Sequence, residues 1–200
     1  MKKVLFIGNI PTSDPRSIGG ASSLNYNLLS FFKRKETAVK YYELRKNWKP
    51  KTQIIDYFLF LFKFPFISFR YDVISIHATR DFRVYFGPII IIISKLFNKR
   101  TICHFYGGFF HKKYMAYPNF FKWWLKTTIF KSDLILMETK EQVLFFKEMF
   151  KNNNIMWFPN ARRSQIEEVS KKFQKNFVFI SRVTEQKGVK LMVDVFKELS

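Results

Sequence analysis

Phe177-Val-Phe-Ile-Ser-Arg-Val-Thr-Glu-Gln-Lys-Gly188 is a short apolar run that ends in Ser181-Arg182 and crosses a polar loop to Lys187-Gly188. An amphipathic segment follows, apolar at Val189, Leu191, Met192, Val195, Phe196 and Leu199. The pattern predicts a buried strand, a loop and then a helix, with one cation near each end of the loop. A Lys and an Arg beside a helix N-terminus suit a diphosphate, because fixed charge and free backbone N–H groups act together. Such a strand opens a domain. Only one strand and one helix of that domain are expected before Ser200.

Upstream, apolar strands alternate with helical patterns. Strands are expected at Lys3–Ile7, Val39–Leu44, Asp72–Ile76, Thr101–Phe105, Leu134–Met137 and Ile155–Phe158. Helices are expected over Ala21–Phe32, Phe82–Phe97, Asn119–Phe130 and Lys140–Phe150, the last capped by Thr139. Ile54–Phe66 reads as one aromatic-rich helix or two short ones. The alternation predicts an α/β, Rossmann-like parallel sheet with helices on both faces. Residues 1–160 form this domain, the polar stretch 161–176 a connector, and 177–200 the start of a second Rossmann-like domain.

Composition narrows the class. One cysteine, Cys103, among 200 residues excludes a disulfide framework and fits a reducing cytoplasm. The opening Met1-Lys-Lys-Val-Leu-Phe-Ile-Gly has too short an apolar run for a signal peptide and reads as a first strand. No twenty-residue apolar span occurs. The net charge of +20 implies an anionic partner, and no acidic residue lies between Phe82 and Ser132. Abundant Lys, Phe, Ile and Asn also fit an AT-rich genome, which accounts for part of the charge.

Several positions could carry chemistry. Gly19-Gly20 stands at a helix entrance, where a ligand could reach the backbone N–H groups. His104 leaves the carboxyl end of a strand just before Gly107-Gly108, on the edge where open parallel sheets bind ligands. His77 ends its own strand and could face the same cleft, although a lone histidine is more often structural, as is His111. Glu138 and Glu141 flank a helix start and complement its dipole. One Cys and three scattered His cannot build a structural zinc site.

The order of these features resembles the GT4-type, GT-B-fold glycosyltransferases. It is carried by the Gly19-Gly20 loop, Asp72-Val-Ile-Ser-Ile-His, His104-Phe-Tyr-Gly-Gly, Ser132-Asp-Leu-Ile-Leu, Trp157-Phe-Pro-Asn160 and the Phe179–Gly188 stretch. The resemblance implies a retaining transfer from a nucleotide-sugar to a glycan or polyprenyl-linked acceptor, without a metal or other cofactor. It places Arg182 and Lys187 on the donor diphosphate and brings Gly19 and Gly20 to the donor phosphates or sugar. It gives His104 a catalytic position near the transferred sugar, with Gly107 and Gly108 on the acceptor side. It also implies bacterial surface polysaccharide synthesis at the inner face of the cytoplasmic membrane, where the basic surface would meet anionic lipid. The family's paired glutamates and nucleoside pocket have no counterpart here, so this chain alone is not expected to transfer sugar. Two other readings remain: a non-catalytic or acceptor-binding half that works with a separately encoded donor domain, and a basic nucleic-acid-binding protein. The latter lacks any motif of that class.

Overall fold

The structure, a computed structural model, describes residues 2–45, 52–151, 154–160, 185 and 188–199. The expected strand Phe177–Ser181, the connector 161–176, Arg182 and Lys187 lie outside the described residues. The chain divides into two compact units, Met1–Arg163 and Ser164–Ser200. In the second, the described helix is α7 (Val189–Leu199).

The first unit is a parallel six-stranded sheet in the order β2-β1-β3-β4-β5-β6. Its strands are β1 (Val4–Gly8), β2 (Val39–Glu43), β3 (Val73–His77), β4 (Arg100–Phe105), β5 (Leu134–Met137) and β6 (Ile155–Trp157). The helices between them are α1 (Gly20–Arg34), α2 (Thr52–Ser68), α3 (Gly87–Leu96), α4 (Phe110–Met115), α5 (Asn119–Thr127) and α6 (Lys140–Phe150).

Topology decides which face each helix covers. Only the step from β1 to β2 runs toward one edge of the sheet; every later step runs toward the other. Right-handed crossovers therefore put α1 on one face and α2–α6 on the opposite one. Register agrees: Leu5, Ile7, Ile74, Ile76, Cys103, Phe105, Ile135 and Met137 point the same way and are all buried. Tyr42 and Phe105 on that face meet Phe60 of α2 and Phe110 of α4, with ring centroids 4.6 Å apart in both pairs. The face toward α1 carries Phe6, Ser75, His77, Ile102, His104 and Leu136. Ile102 and Leu136 there are only half-buried.

One open alternative is resolved, and two helices differ locally from the sequence expectation. Ile54–Phe66 forms part of one helix, α2, with Pro65 inside it. The helix expected over Phe82–Phe97 opens with a π-helical turn, Phe82–Phe86. Pro88 has no N–H to continue the ladder, and the Gly87 N–H donates to the Phe82 carbonyl. The helix expected to reach Phe130 stops at Thr127 and resumes as a 3-10 turn over Ile129–Lys131. There the Thr127 and Thr128 hydroxyls donate back to the Trp123 and Trp124 carbonyls, competing with the helical ladder.

Candidate functional site

In register, Gly8 pairs with His77, so the carboxyl ends of β1 and β3 lie side by side. The chain leaves β1 toward one face and β3 toward the other. That divergence makes the crevice in which open α/β sheets bind ligands. Asn25 of α1 pins it: Asn25 Nδ2 donates to the carbonyls of Asn9 and His77, each at 2.9 Å. A Cβ on Gly8 would lie 2.7 Å from the His77 carbonyl oxygen and 2.9 Å from Asn25 Nδ2. Neither neighbour can withdraw without breaking this bridge. Gly8→Ala is expected to destabilise the unit by about 1–3 kcal/mol, read from the urea midpoint. An unchanged midpoint would show that the crevice is not held as tightly as its geometry implies.

His77 and His104 meet across β3 and β4. The two Nδ1 atoms are 3.2 Å apart, and His77 Nδ1 is 3.3 Å from the Tyr106 hydroxyl. His77 Nε2 is 2.7 Å from Ser75 Oγ. Phe6 stacks on His77 at 3.9 Å, and Phe158 meets His104 edge-on.

One proton arrangement closes this network. Asn25 uses its amide hydrogens on two carbonyls, so its Oδ1 accepts from the Tyr106 hydroxyl. The Tyr106 oxygen can then only accept from His77, which puts a proton on His77 Nδ1. Burial lowers the pKa of His77 well below its usual value, with His104 adding to the effect. His77 is therefore neutral, and its Nε2 accepts from the Ser75 hydroxyl. His104 Nδ1 also accepts from His77, which leaves the His104 proton on Nε2. Burial, aided by the positive Arg83, holds the His104 pKa down at about 3. His104 is thus a neutral N–H donor whose Nε2 is buried and has no partner among the described residues. It is poorly suited to carry a proton at neutral pH and well suited to hold an acceptor oxygen.

Arg83, fully buried beneath the π-helical turn, ties the ends of β3 and β4 together. Its Nη1 donates to the His104 carbonyl at 2.7 Å and the Ala78 carbonyl at 3.3 Å, while the guanidinium lies over the Phe105 ring. Burial lowers its pKa. The same burial raises the neighbouring Cys103 thiol to about 12, so Cys103 is an inert core group.

Gly107 has φ +88°, a left-handed conformation that favours glycine. Its N–H donates to Glu138 Oε2 at 2.7 Å, and its carbonyl accepts from Gln142 Nε2 at 2.9 Å. Glu138 also accepts from the Asn160 side chain. Glu138 therefore fastens the loop after β4 to the segment that follows β6, beside the start of α6, whose cap is Thr139. A Cβ on Gly108 would press on Thr139 Cγ2 at 3.1 Å. Gly19 is the N-cap of α1, its N–H accepted by Ser22 Oγ, and a Cβ on Gly20 would meet nothing within 4 Å.

Between α1 and the half-covered sheet face lies a groove of about 710 Å³. Its floor includes Ser75, His77, His104 and Tyr106, and its walls include Leu24, Leu28 and Phe158. The structure thus brings His104 together with His77 and sets Gly107 next in the chain to Tyr106. Asn25, Ser75 and Tyr106 were not singled out from the sequence. Asn25, a polar residue among the leucines of α1, was the one visible signal. Among the described residues no cluster of three or more His, Cys, Asp or Glu could hold a metal ion. No family model matches the chain, and no curated protein does.

Proposed function

We propose that this chain carries the acceptor-binding domain and the opening unit of the donor-binding domain of a retaining, GT4-like glycosyltransferase. The reaction moves a sugar from a nucleotide-sugar to a glycan or polyprenyl-linked acceptor, in bacterial surface polysaccharide synthesis at the inner face of the cytoplasmic membrane. One observation carries the reading. The His77–His104–Tyr106 network, with an unused N–H donor, stands at the carboxyl edge beside the β1/β3 divergence. That donor is buried, so it would hold a sugar hydroxyl or ring oxygen once the imidazole turns toward the groove. Arg182 and Lys187 would meet the charge that develops on the departing phosphate, so the reaction takes no metal. Gly19 and Gly20 would let phosphate or sugar pass close to the entrance of α1. No helix among the described residues is long and apolar enough to cross a membrane, and the basic surface suits peripheral attachment to anionic lipid.

Gly20→Val separates folding from binding. The added side chain enters open space, so the melting temperature should not move. Calorimetric titration with a panel of nucleotide-sugars should show binding weakened by about ten-fold or more, the loss of one to two polar contacts. Equal affinity would remove the Gly19-Gly20 loop from the site. A parent chain that binds no nucleotide-sugar but binds single-stranded RNA would favour the nucleic-acid reading instead.

A further inference from the structure

Helix α2 is apolar on two opposite sides. Tyr57, Phe60 and Phe64 point into the core, while Ile55, Phe58, Leu59, Phe62, Phe66 and Phe69 form a stripe exposed to solvent. Phe62 and Phe66 are each 76% exposed. A soluble amphipathic helix turns polar residues outward; one that is apolar all round belongs inside a core or against lipid. The stripe continues past the end of α2, where Phe69 packs on Phe97 with ring centroids 4.4 Å apart, and Leu96 of α3 is exposed.

We infer that this stripe lies in the headgroup–acyl boundary of an anionic bilayer, with α2 parallel to the membrane plane. Charge selects this occupant. Lys63, Arg70 and Lys95 are exposed and Lys99 is half-buried on the same α2–α3 segment, and no acidic residue lies between Tyr57 and Tyr71 or between Phe82 and Ser132. A second copy docked here would set these cations against their own kind, whereas anionic headgroups satisfy them while the acyl region takes the aromatic rings. No helix among the described residues is long and apolar enough to cross a membrane, and α2 keeps Tyr57, Phe60 and Phe64 in the core. Helices with an apolar face and a basic fringe lie in the interface. This inference rests on the membrane attachment proposed above, and adds insertion to charge attraction.

The test compares the parent with Phe62→Ser/Phe66→Ser in flotation with phosphatidylcholine vesicles containing about 30% phosphatidylglycerol, and with pure phosphatidylcholine. The parent should float with the anionic vesicles. The variant, whose melting temperature should be unchanged, should lose about ten-fold or more in partitioning. Because Cys103 is buried, Phe62→Cys carries a single accessible thiol. An environment-sensitive dye on it should shift to the blue with anionic vesicles. Undiminished flotation of the double variant, or an unshifted dye, would overturn insertion while leaving electrostatic attachment standing. A parent that floats with neither vesicle would remove both. A parent dimer that the variant splits, with no vesicle effect, would assign the stripe to self-association and overturn the inference.

Discussion

Phe146→Ala is expected to destabilise the first unit by about 3–5 kcal/mol, the range for deleting a buried aromatic side chain. Phe146 is fully buried on α6. Its ring centroid lies 4.8 Å from Phe130, 5.4 Å from Tyr114 and 5.7 Å from Phe110. These rings belong to the 3-10 turn and to α4, and Phe110 in turn packs on Phe105 of β4. One side chain thus joins α6, α4 and the turn before β5 above the sheet. Truncation would leave a hole walled by stiff rings that cannot close it. At roughly 2–4 °C per kcal/mol for a unit of this size, the melting temperature should fall by about 6–20 °C. Phe62→Ala, on the exposed stripe, should stay within about 0.5 kcal/mol. If the two variants melt alike, the packing of α6 on α4 is not what holds this layer.

Acid should unfold the unit through the buried histidines. Both have folded-state pKa values below the usual 6.5, chiefly because burial disfavours the imidazolium. Above about pH 6.5 both are neutral whether folded or unfolded, and they add no pH dependence. As the pH falls below 6.5, the unfolded chain binds protons that the folded chain refuses, so stability declines. For His104 the loss continues toward pH 3. Each histidine contributes on the order of 1 kcal/mol per pH unit in that window. Urea midpoints measured from pH 7 to 5, above most carboxylate titration, should fall steadily. His77→Gln/His104→Gln should flatten the curve. A flat profile in the parent, or an unchanged slope in the double variant, would contradict the neutral network.

Most of the fold was legible because strand and helix periods differ so clearly in this chain. Leu134–Met137 and Lys140–Phe150 match residue for residue, the latter because Thr139 caps the Gln142 N–H. Helix α4 was missed because Gly107-Gly108 and Pro118 enclose too few residues for a helical period to show. The unequal covering of the sheet was also hidden, since it follows from strand order and not from any local pattern. That same order brings His77 to His104 from 27 positions away and makes Asn25 the bridge between the ends of β1 and β3. His77, read alone, was more economically structural, whereas His104 stood out by the glycine pair that follows it. The placement of Gly19, Gly20 and His104 near a carboxyl edge could be read from strand ends, whereas the proton arrangement needed Tyr106 and Ser75 in space.

The most direct test of the glycosyltransferase reading is an amide NMR titration of the isotope-labelled chain with a panel of nucleotide-sugars. The account predicts saturable shifts at Gly19, Gly20, His77, His104 and Tyr106, together with Arg182 and Lys187, for at least one member. No saturable shift with any member, or shifts confined to residues away from this edge, would contradict it.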